Sequence, residues 1–409
     1  MEQPRAVRRR RRRRRPGGIW ILFLLVAAGL VFSVVQYRRD MKAPVQTATA
    51  PTEPFAAAGE GEKITIAAAG DINISRELLQ SARQADGTYD FTNIFMGVSP
   101  LLSGADLTVA DLEVNFCGEP CDPDAYQAPE SLLEALSASG VDLVQTANTV
   151  SVYNGIAGLS STLEAVERSG LTPVGTFATG EAYEQSGGYT IVEEKGFRIA
   201  FVAFTKGVGN LKLPEGSEHC VNLLYKDYNT TYQEVDTQGI QAVLGRVQGE
   251  NPDITVALLH WGSEYDDEVS KTQEEIRKLM LENGVDVILG THSHLVGEID
   301  ADLGAGSLTA FSLGNLLSVD ETSGANQGIV LKLEFTMSGG EAKLTDYTYE
   351  PVYLAKGEET GTGRYALLDT NKVISLYESS YIDRVTQEVY ESLCKSRDKV
   401  AKLVYPTEE

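Results

Sequence analysis

From residue 63 to residue 290 the chain alternates short apolar runs with stretches of helical period, and this alternation restricts the fold more than any other feature. The apolar runs at 64–69, 106–112, 141–146, 172–174, 254–259 and 285–289 are too short for helices and end in turn-forming residues. They predict buried strands. Helical stretches at 76–83, 129–139, 159–169, 233–247 and 273–282 separate most of them. Such alternation predicts an α/β domain with helices outside the sheet. Segments 189–193 and 198–204, joined by Glu194-Lys195-Gly196-Phe197, predict a hairpin. Beyond residue 300 the runs at 307–312, 328–335 and 343–352 succeed one another without helices, which predicts a second, more antiparallel sheet packed on the first. No internal repeat of fixed period is evident, and the tail 371–402 reads as helical and charged.

Ligands of α/β folds bind beyond the carboxyl ends of strands, so the residues at those ends carry the functional information. Asp71 follows the first run, Asp111 and Glu113 close the second, and Asn148 follows the third. His260 follows the run at 254–259, His292 and His294 follow that at 285–289, and Asn315 follows that at 307–312. Three of the four His residues therefore fall at strand ends. Carboxylate, amide oxygen and imidazole together suit Mn, Zn or Fe, and two ions bridged by a carboxylate can clamp a phosphoryl oxygen. Asp71, Glu113, Asn148, His260, His292 and His294 are the candidate ligands, with Asp111, Glu264 and Asn315 in support; no residue stands out as a catalytic acid or base. Each has a plainer alternative. Asp71 can cap the next helix, His260-Trp261-Gly262 can be a packed turn, and Asn315 can be a turn residue. His292 and His294, two apart on an extended segment, can be a hydrogen-bonded pair. A sheet scaffold without metal is the reading in which all of these hold.

The formal net charge is −23, and residues 1–18, with nine Arg and one Glu, contribute +8, so the rest carries −31. A body this acidic disfavours nucleic acid and anionic lipid as partners. The run Arg8 to Arg15 precedes an apolar segment, 19–35, whose only polar side chain is Ser33. Counted from residue 17 it has 19 residues, enough at ~1.5 Å per residue to come close to the ~30 Å hydrocarbon core. The positive-inside rule then predicts a cytoplasmic tail (1–18), a transmembrane signal anchor (19–37), a flexible spacer (38–61) and a domain outside the cell membrane. A cleaved signal peptide ending near Ala48-Thr49-Ala50 is the alternative. The outer part divides into a domain at 62–355 and a helical tail at 356–409. With four Cys the fold is not a disulfide framework; Cys117 and Cys121 either close a small loop or stay free thiols.

Several segments resemble the CapA-type capsule synthesis proteins, which include the PgsA-type poly-γ-glutamate proteins. These are Gly70-Asp71-Ile72, Ala110-Asp111-Leu112-Glu113, Ala147-Asn148, Gly158-Leu159, His260-Trp261-Gly262-Ser263-Glu264-Tyr265, Gly290-Thr291-His292-Ser293-His294 and Ser312-Leu313-Gly314-Asn315, in that order over 63–320. The resemblance implies a calcineurin-like metallophosphoesterase-type α/β/β/α sandwich. It also implies a role in capsule or exopolymer biosynthesis or export, beside an extracellular anionic polymer or its membrane synthase complex, or a phosphoesterase-like hydrolysis in the cell envelope. The chain departs from the family at Asn148-Thr149-Val150, where the family carries Asn-Asn-His. That His is the candidate general acid of metallophosphoesterases, and Val150 cannot replace it. Thr291 likewise stands where a further His is usual.

Overall fold

Each apolar run closes into a strand. In chain order the first are β1 Gln46–Thr47, β2 Lys63–Ile72, β3 Leu107–Leu112, β4 Leu143–Gln145, β5 Thr172–Val174, β6 Thr190–Glu194, β7 Phe197–Thr205 and β8 Ile254–His260. They are followed by β9 Val287–Thr291, β10 Ile299–Asp302, β11 Ser307–Ala310, β12 Asn315–Leu317, β13 Gln327–Ser338, β14 Glu341–Ala355 and β15 Ala366–Asp369. The computed structural model describes residues 46–47, 57–382 and 385–405. The expected cytoplasmic tail and anchor, 1–37, lie outside the described residues. Among the described residues no helix is long and apolar enough to cross a membrane.

The strands form two sheets. One has the order β15-β14-β13-β2-β3-β4-β5, with β12 also paired to β2. The other has the order β1-β6-β7-β8-β9-β11-β10. Strands β2 to β5 are parallel, as are β7, β8, β9 and β11. Period-2 alternation sorts the side chains into layers. Ile64, Ile66 and Ala68 of β2 and Ile199, Phe201 and Ala203 of β7 meet in one core between the sheets. Ala67 and Ala69 face out to a second core made with the helices Arg76–Ala82 and Ser131–Ser139. Ala200, Val202 and Phe204 face a third, under the helices Thr237–Gly249 and Lys271–Glu282. The result is helix, sheet, sheet, helix.

The late strands do not make a sheet of their own, contrary to the sequence expectation. β13 pairs antiparallel with β2 from Val330↔Ala69 to Thr336↔Lys63, and β14 and β15 extend the same sheet. β10 and β11 join the other sheet through β9. The second sheet is instead begun by the hairpin β6–β7, which forms as expected, with Lys195 and Gly196 in left-handed turn conformations. Strand pairing between distant segments leaves no local trace in composition, so this partition is invisible in the sequence. The segment expected as a spacer contributes β1 to the edge beside β6. The tail packs against β14: Tyr353 and Ala355 share a core with Ile374, Val389 and Leu393. Cys117 and Cys121 are free thiols.

At the amino ends of four parallel strands the same device recurs. Asp106, Asp142, Asp253 and Asp286 each immediately precede a strand, and each carboxylate accepts the backbone N–H of the neighbouring strand: Thr65 at 2.9 Å, Thr108 at 2.9 Å, Arg198 at 2.7 Å and Thr255 at 2.8 Å. Each Asp backbone N–H returns a bond to the carbonyl of that same residue, at 3.0, 2.9, 2.8 and 2.9 Å respectively. The carboxylate thus satisfies the donor that would otherwise end the ladder unpaired.

Asp142→Ala strips one such clip and leaves the Thr108 N–H unmet, so urea denaturation should show a loss of ~1–3 kcal/mol. Asp286 adds a pH signature. Burial pushes its pKa up from 3.8 to about 6, against the opposing bond from Thr255. A folded value above the unfolded one means the group favours the fold in acid, and that this contribution is lost as pH rises through about 6. Asp286→Asn keeps an acceptor without the charge, so its stability should gain on wild type between pH ~4 and ~7. A constant difference across that range would refute the assignment.

Candidate metal centre

Two glycines let the ends of the two sheets converge. The segment 311–315 crosses both β2 and β9, and it passes so close that side chains are excluded beneath it. A Cβ on Gly70 would lie 1.8 Å from the Gly314 carbonyl oxygen, and one on Gly290 would lie 2.0 Å from that of Phe311. Asp71 N–H donates to Gly314 O at 3.0 Å, and Leu313 N–H donates to Gly290 O at 3.0 Å. The crossing segment therefore binds one strand from each sheet. Asp71, Asp111 and Glu113 arrive from the first sheet, and His260, His292 and His294 from the second, all at carboxyl ends.

The His260 ring is held at Nδ1, 2.8 Å from Asp111 Oδ2 and 3.1 Å from Thr291 Oγ1. Its Nε2 lies 3.1 Å from Glu113 Oε1, an ion pair without hydrogen-bond geometry. His292 Nδ1 is also buried and without a hydrogen bond. His294 Nδ1 sits 3.0 Å from Asn315 Oδ1 and 3.1 Å from Asp71 Oδ2, two acceptors that keep the proton on that nitrogen. Asn315 is itself fixed by donating from Nδ2 to Ala325 O at 2.7 Å. Asn148 is fully buried; its Nδ2 donates to Asp111 Oδ1 at 3.0 Å and to Leu112 O at 2.9 Å. Its Oδ1 accepts the Val150 N–H at 3.2 Å, so it braces Asp111 in this arrangement. Asn73 Nδ2 and Thr149 Oγ1 both donate to Glu113, at 2.8 and 3.3 Å.

Electrostatics reflect this crowding. Burial pushes the Asp71 carboxyl up to about 7, although the His294 bond opposes it. Burial would also raise Glu113, but the imidazolium of His260 and the other two imidazoles hold it well below the usual carboxylate range. For His260 the penalty of burial is outweighed by Glu113 and Asp111, giving about 10. His294 likewise reaches about 10 through Asp71. His292 is driven far down by burial and by the positive charge of His260 and Lys206. The centre thus holds buried carboxylates against protons on imidazole nitrogens. A divalent cation can take the place of those protons.

Three groups place ligand atoms within 4.8 Å of one another: Glu113-His260-His292, Asp71-Glu113-His294, and Asp71-Asp111-His260. With the two imidazole nitrogens that make no hydrogen bond, this donor set fits a divalent ion. Of the sequence candidates, Asp71, Asp111, Glu113, Asn148, His260, His292, His294 and Asn315 converge, whereas Glu264 is exposed on the loop after His260 and belongs to none of the three groups. Asp71 does not cap a helix; Ser75 does that. His292 and His294 are not on an extended segment. Both are left-handed, with φ of 92° and 59°, so their rings part: His292 lies beside His260, centroids 4.5 Å apart, and His294 turns to Asp71. Non-glycine residues held there are strained and persist where surrounding structure over-determines them. Asn73, which bonds to Glu113, and Lys206, which ends the apolar run of β7 just as Asp71 ends that of β2, carry no carboxylate or imidazole to mark them in the sequence.

Two facing sheets with a buried carboxylate–imidazole cluster at their joined carboxyl ends define an α/β/β/α domain built around a candidate metal site. The chain belongs to the family described as bacterial capsule synthesis protein PGA_cap, whose model matches residues 65–320. It is 24% identical over 316 residues to the capsule biosynthesis protein CapA of Bacillus anthracis, covering 74% of this chain and 68% of that one. It is 21% identical over 252 residues to the PGA biosynthesis protein CapA of Bacillus subtilis (strain 168), covering 61% of each. Among solved structures it is similar to a phosphatase from Mycoplasma pneumoniae (12% identity, TM-score 0.43, 71% of this chain and 94% of that one). It is also similar to the calcineurin-like phosphoesterase YfkN from Bacillus subtilis (10% identity, TM-score 0.39, 84% and 99%). The fold description rests on the sheets and cores above.

Glu113 is common to two of the three groups. Glu113→Gln should therefore remove more bound metal from the purified protein than His294→Gln does, as read by elemental analysis; equal losses would argue against a shared carboxylate.

Proposed function

We propose that this protein is a membrane-anchored, extracytoplasmic component of capsule or exopolymer biosynthesis or export, of poly-γ-glutamate type, whose folded body carries a divalent-metal centre. Family membership supports the capsule role. The observation that carries the metal centre is the pair of buried imidazole nitrogens, His260 Nε2 and His292 Nδ1, left without hydrogen bonds beside buried Asp71, Asp111 and Glu113. Asp71, Glu113, His260, His292 and His294 would hold the ion, and Mn, Zn or Fe there would supply Lewis-acid chemistry to a carbonyl or phosphoryl oxygen. The arginine run and apolar segment support the anchor and the outward placement of the body. Its partners on this reading are an anionic polymer outside the cell and the membrane synthase that makes it.

The chain's own residues favour handling over hydrolysis. Asp111 and Thr291 fix the tautomer and plane of His260, and Asn315 and Asp71 do so for His294. Val150 is buried and offers only its backbone N–H to Asn148, so no imidazole stands ready to protonate a leaving group there. Loss of a general acid costs ~10²–10⁴-fold in rate. A metallophosphoesterase-like hydrolysis is the second reading. It is favoured by the two oxygens of Glu113, which face different imidazoles: Oε1 is 3.1 Å from His260 Nε2 and Oε2 is 3.9 Å from His294 Nε2. On this reading Glu113 would help hold an ion at either imidazole.

Elemental analysis of the purified protein, wild type against His292→Ala/His294→Ala, tests the centre. Bound Mn, Zn or Fe that falls in the double variant supports it; no metal in either sinks it. Deletion of the gene should abolish or thin the surface polymer, restored by wild type. An unchanged polymer layer in the deletion strain would refute the capsule role.

A further inference from the structure

Lys206 is tied to the loop that follows His260, and none of the roles assigned above uses it. It follows β7 directly, and the last residue of β7, Thr205, sits opposite His260 in the parallel register. Lys206 N–H donates to His260 O at 2.8 Å. Its backbone path is fixed further by Gly207, where a Cβ would fall 2.3 Å from Tyr228 O. The ammonium donates to Gly262 O at 2.6 Å and lies 4.7 Å from the centroid of the Tyr232 ring. Among the described residues it makes no ion pair, and the exposed Glu264 is the carboxylate whose charge acts on it. A half-buried ammonium held by one carbonyl and an aromatic face has donors left for the oxygen of a ligand.

The loop that receives Lys206 is the one that closes the centre. Gly262 follows His260 and Trp261, and Tyr265, at the far end of that loop, donates its N–H to Ser293 O at 2.8 Å and sets its ring 5.6 Å from that of His294. Lys206 is therefore held against the loop that follows His260 and that also packs on Ser293 and His294.

We propose that Lys206 is a positioning residue of the centre that takes an anionic oxygen of the ligand, a carboxylate or a phosphoryl group, beside the metal. The inference rests on the metal-centre reading above. Lys206 offers a point charge with rotatable donors, which suits a single oxyanion in either chemistry. It also gives an acidic protein a local means of accepting an anionic chain, since the surrounding field repels one.

The test is calorimetric binding to the full-length protein in detergent, with metal content read on the same samples. One arm titrates inorganic phosphate and the other a short γ-linked glutamate oligomer. Lys206→Gln keeps a donor for Gly262 O and removes the charge; Lys206→Arg restores the charge; Lys332→Gln, remote on β13, is the control. The expected result is unchanged metal in all four proteins, with affinity for at least one anion weakened roughly tenfold or more in Lys206→Gln, much of it recovered in Lys206→Arg. The arm that responds names the source of the oxyanion. Metal retained and both anions bound equally well by Lys206→Gln would overturn the role of Lys206 and leave the centre standing. A wild type with neither metal nor anion binding would overturn both.

Discussion

The segment 311–315 ties the two sheets together where the chemistry is, and the rest of the arrangement depends on that crossing. It bonds to Gly290 from β9 and to Asp71 from β2, over glycines that leave no Cβ in its way. The Trp261 indole N–H anchors it by donating to Phe311 O at 2.9 Å. Asn315, at its end, then sets the His294 ring. Without the crossing, each sheet would present half a ligand set to solvent. With it, three carboxylates and three imidazoles meet out of water, where their mutual interactions are strong.

Such a cluster is tolerable only because its charges answer one another. Burial alone would neutralise Asp71, Glu113, His260 and His294, and in three of the four the partner charge prevails over desolvation. Asp71 is the exception, raised to about 7. The left-handed backbone at Tyr265, His292 and His294 is a further cost that falls on the same end of the molecule. The opposite end is built for stability. There the Asp clips close the parallel ladders.

Much of this is written locally. Gly104-Ala105-Asp106-Leu107, Gly140-Val141-Asp142-Leu143 and Gly284-Val285-Asp286-Val287 share one pattern, a glycine that ends the preceding segment and an Asp before the strand. It was legible as a recurring unit, though not as a repeat of fixed period, and it went unread because its partner lies on another strand. The strand ends are where the polar side chains of both sheets converge, because period-2 burial requires apolar interiors and leaves polar residues to mark the termini. Glu264 is a supporting candidate in the sequence, in the segment that resembles the family, but the chain turns at Gly262, with φ of 79°, and carries it out to solvent. The helix expected from 233 starts at Thr237, because Val235 bridges Tyr225 and Asp236 caps it.

What the sequence by itself determined is the inventory: alternating elements, the polar ends of the strands, the excess of acid, and family membership through short motifs. These are properties of a residue and its near neighbours, and periodicity exposes them. What only the tertiary structure decided is which ends meet. That late strands complete the first sheet and that 311–315 spans both sheets follow from pairings between distant segments. Those pairings are fixed by the burial of whole faces, which no single stretch of chain encodes.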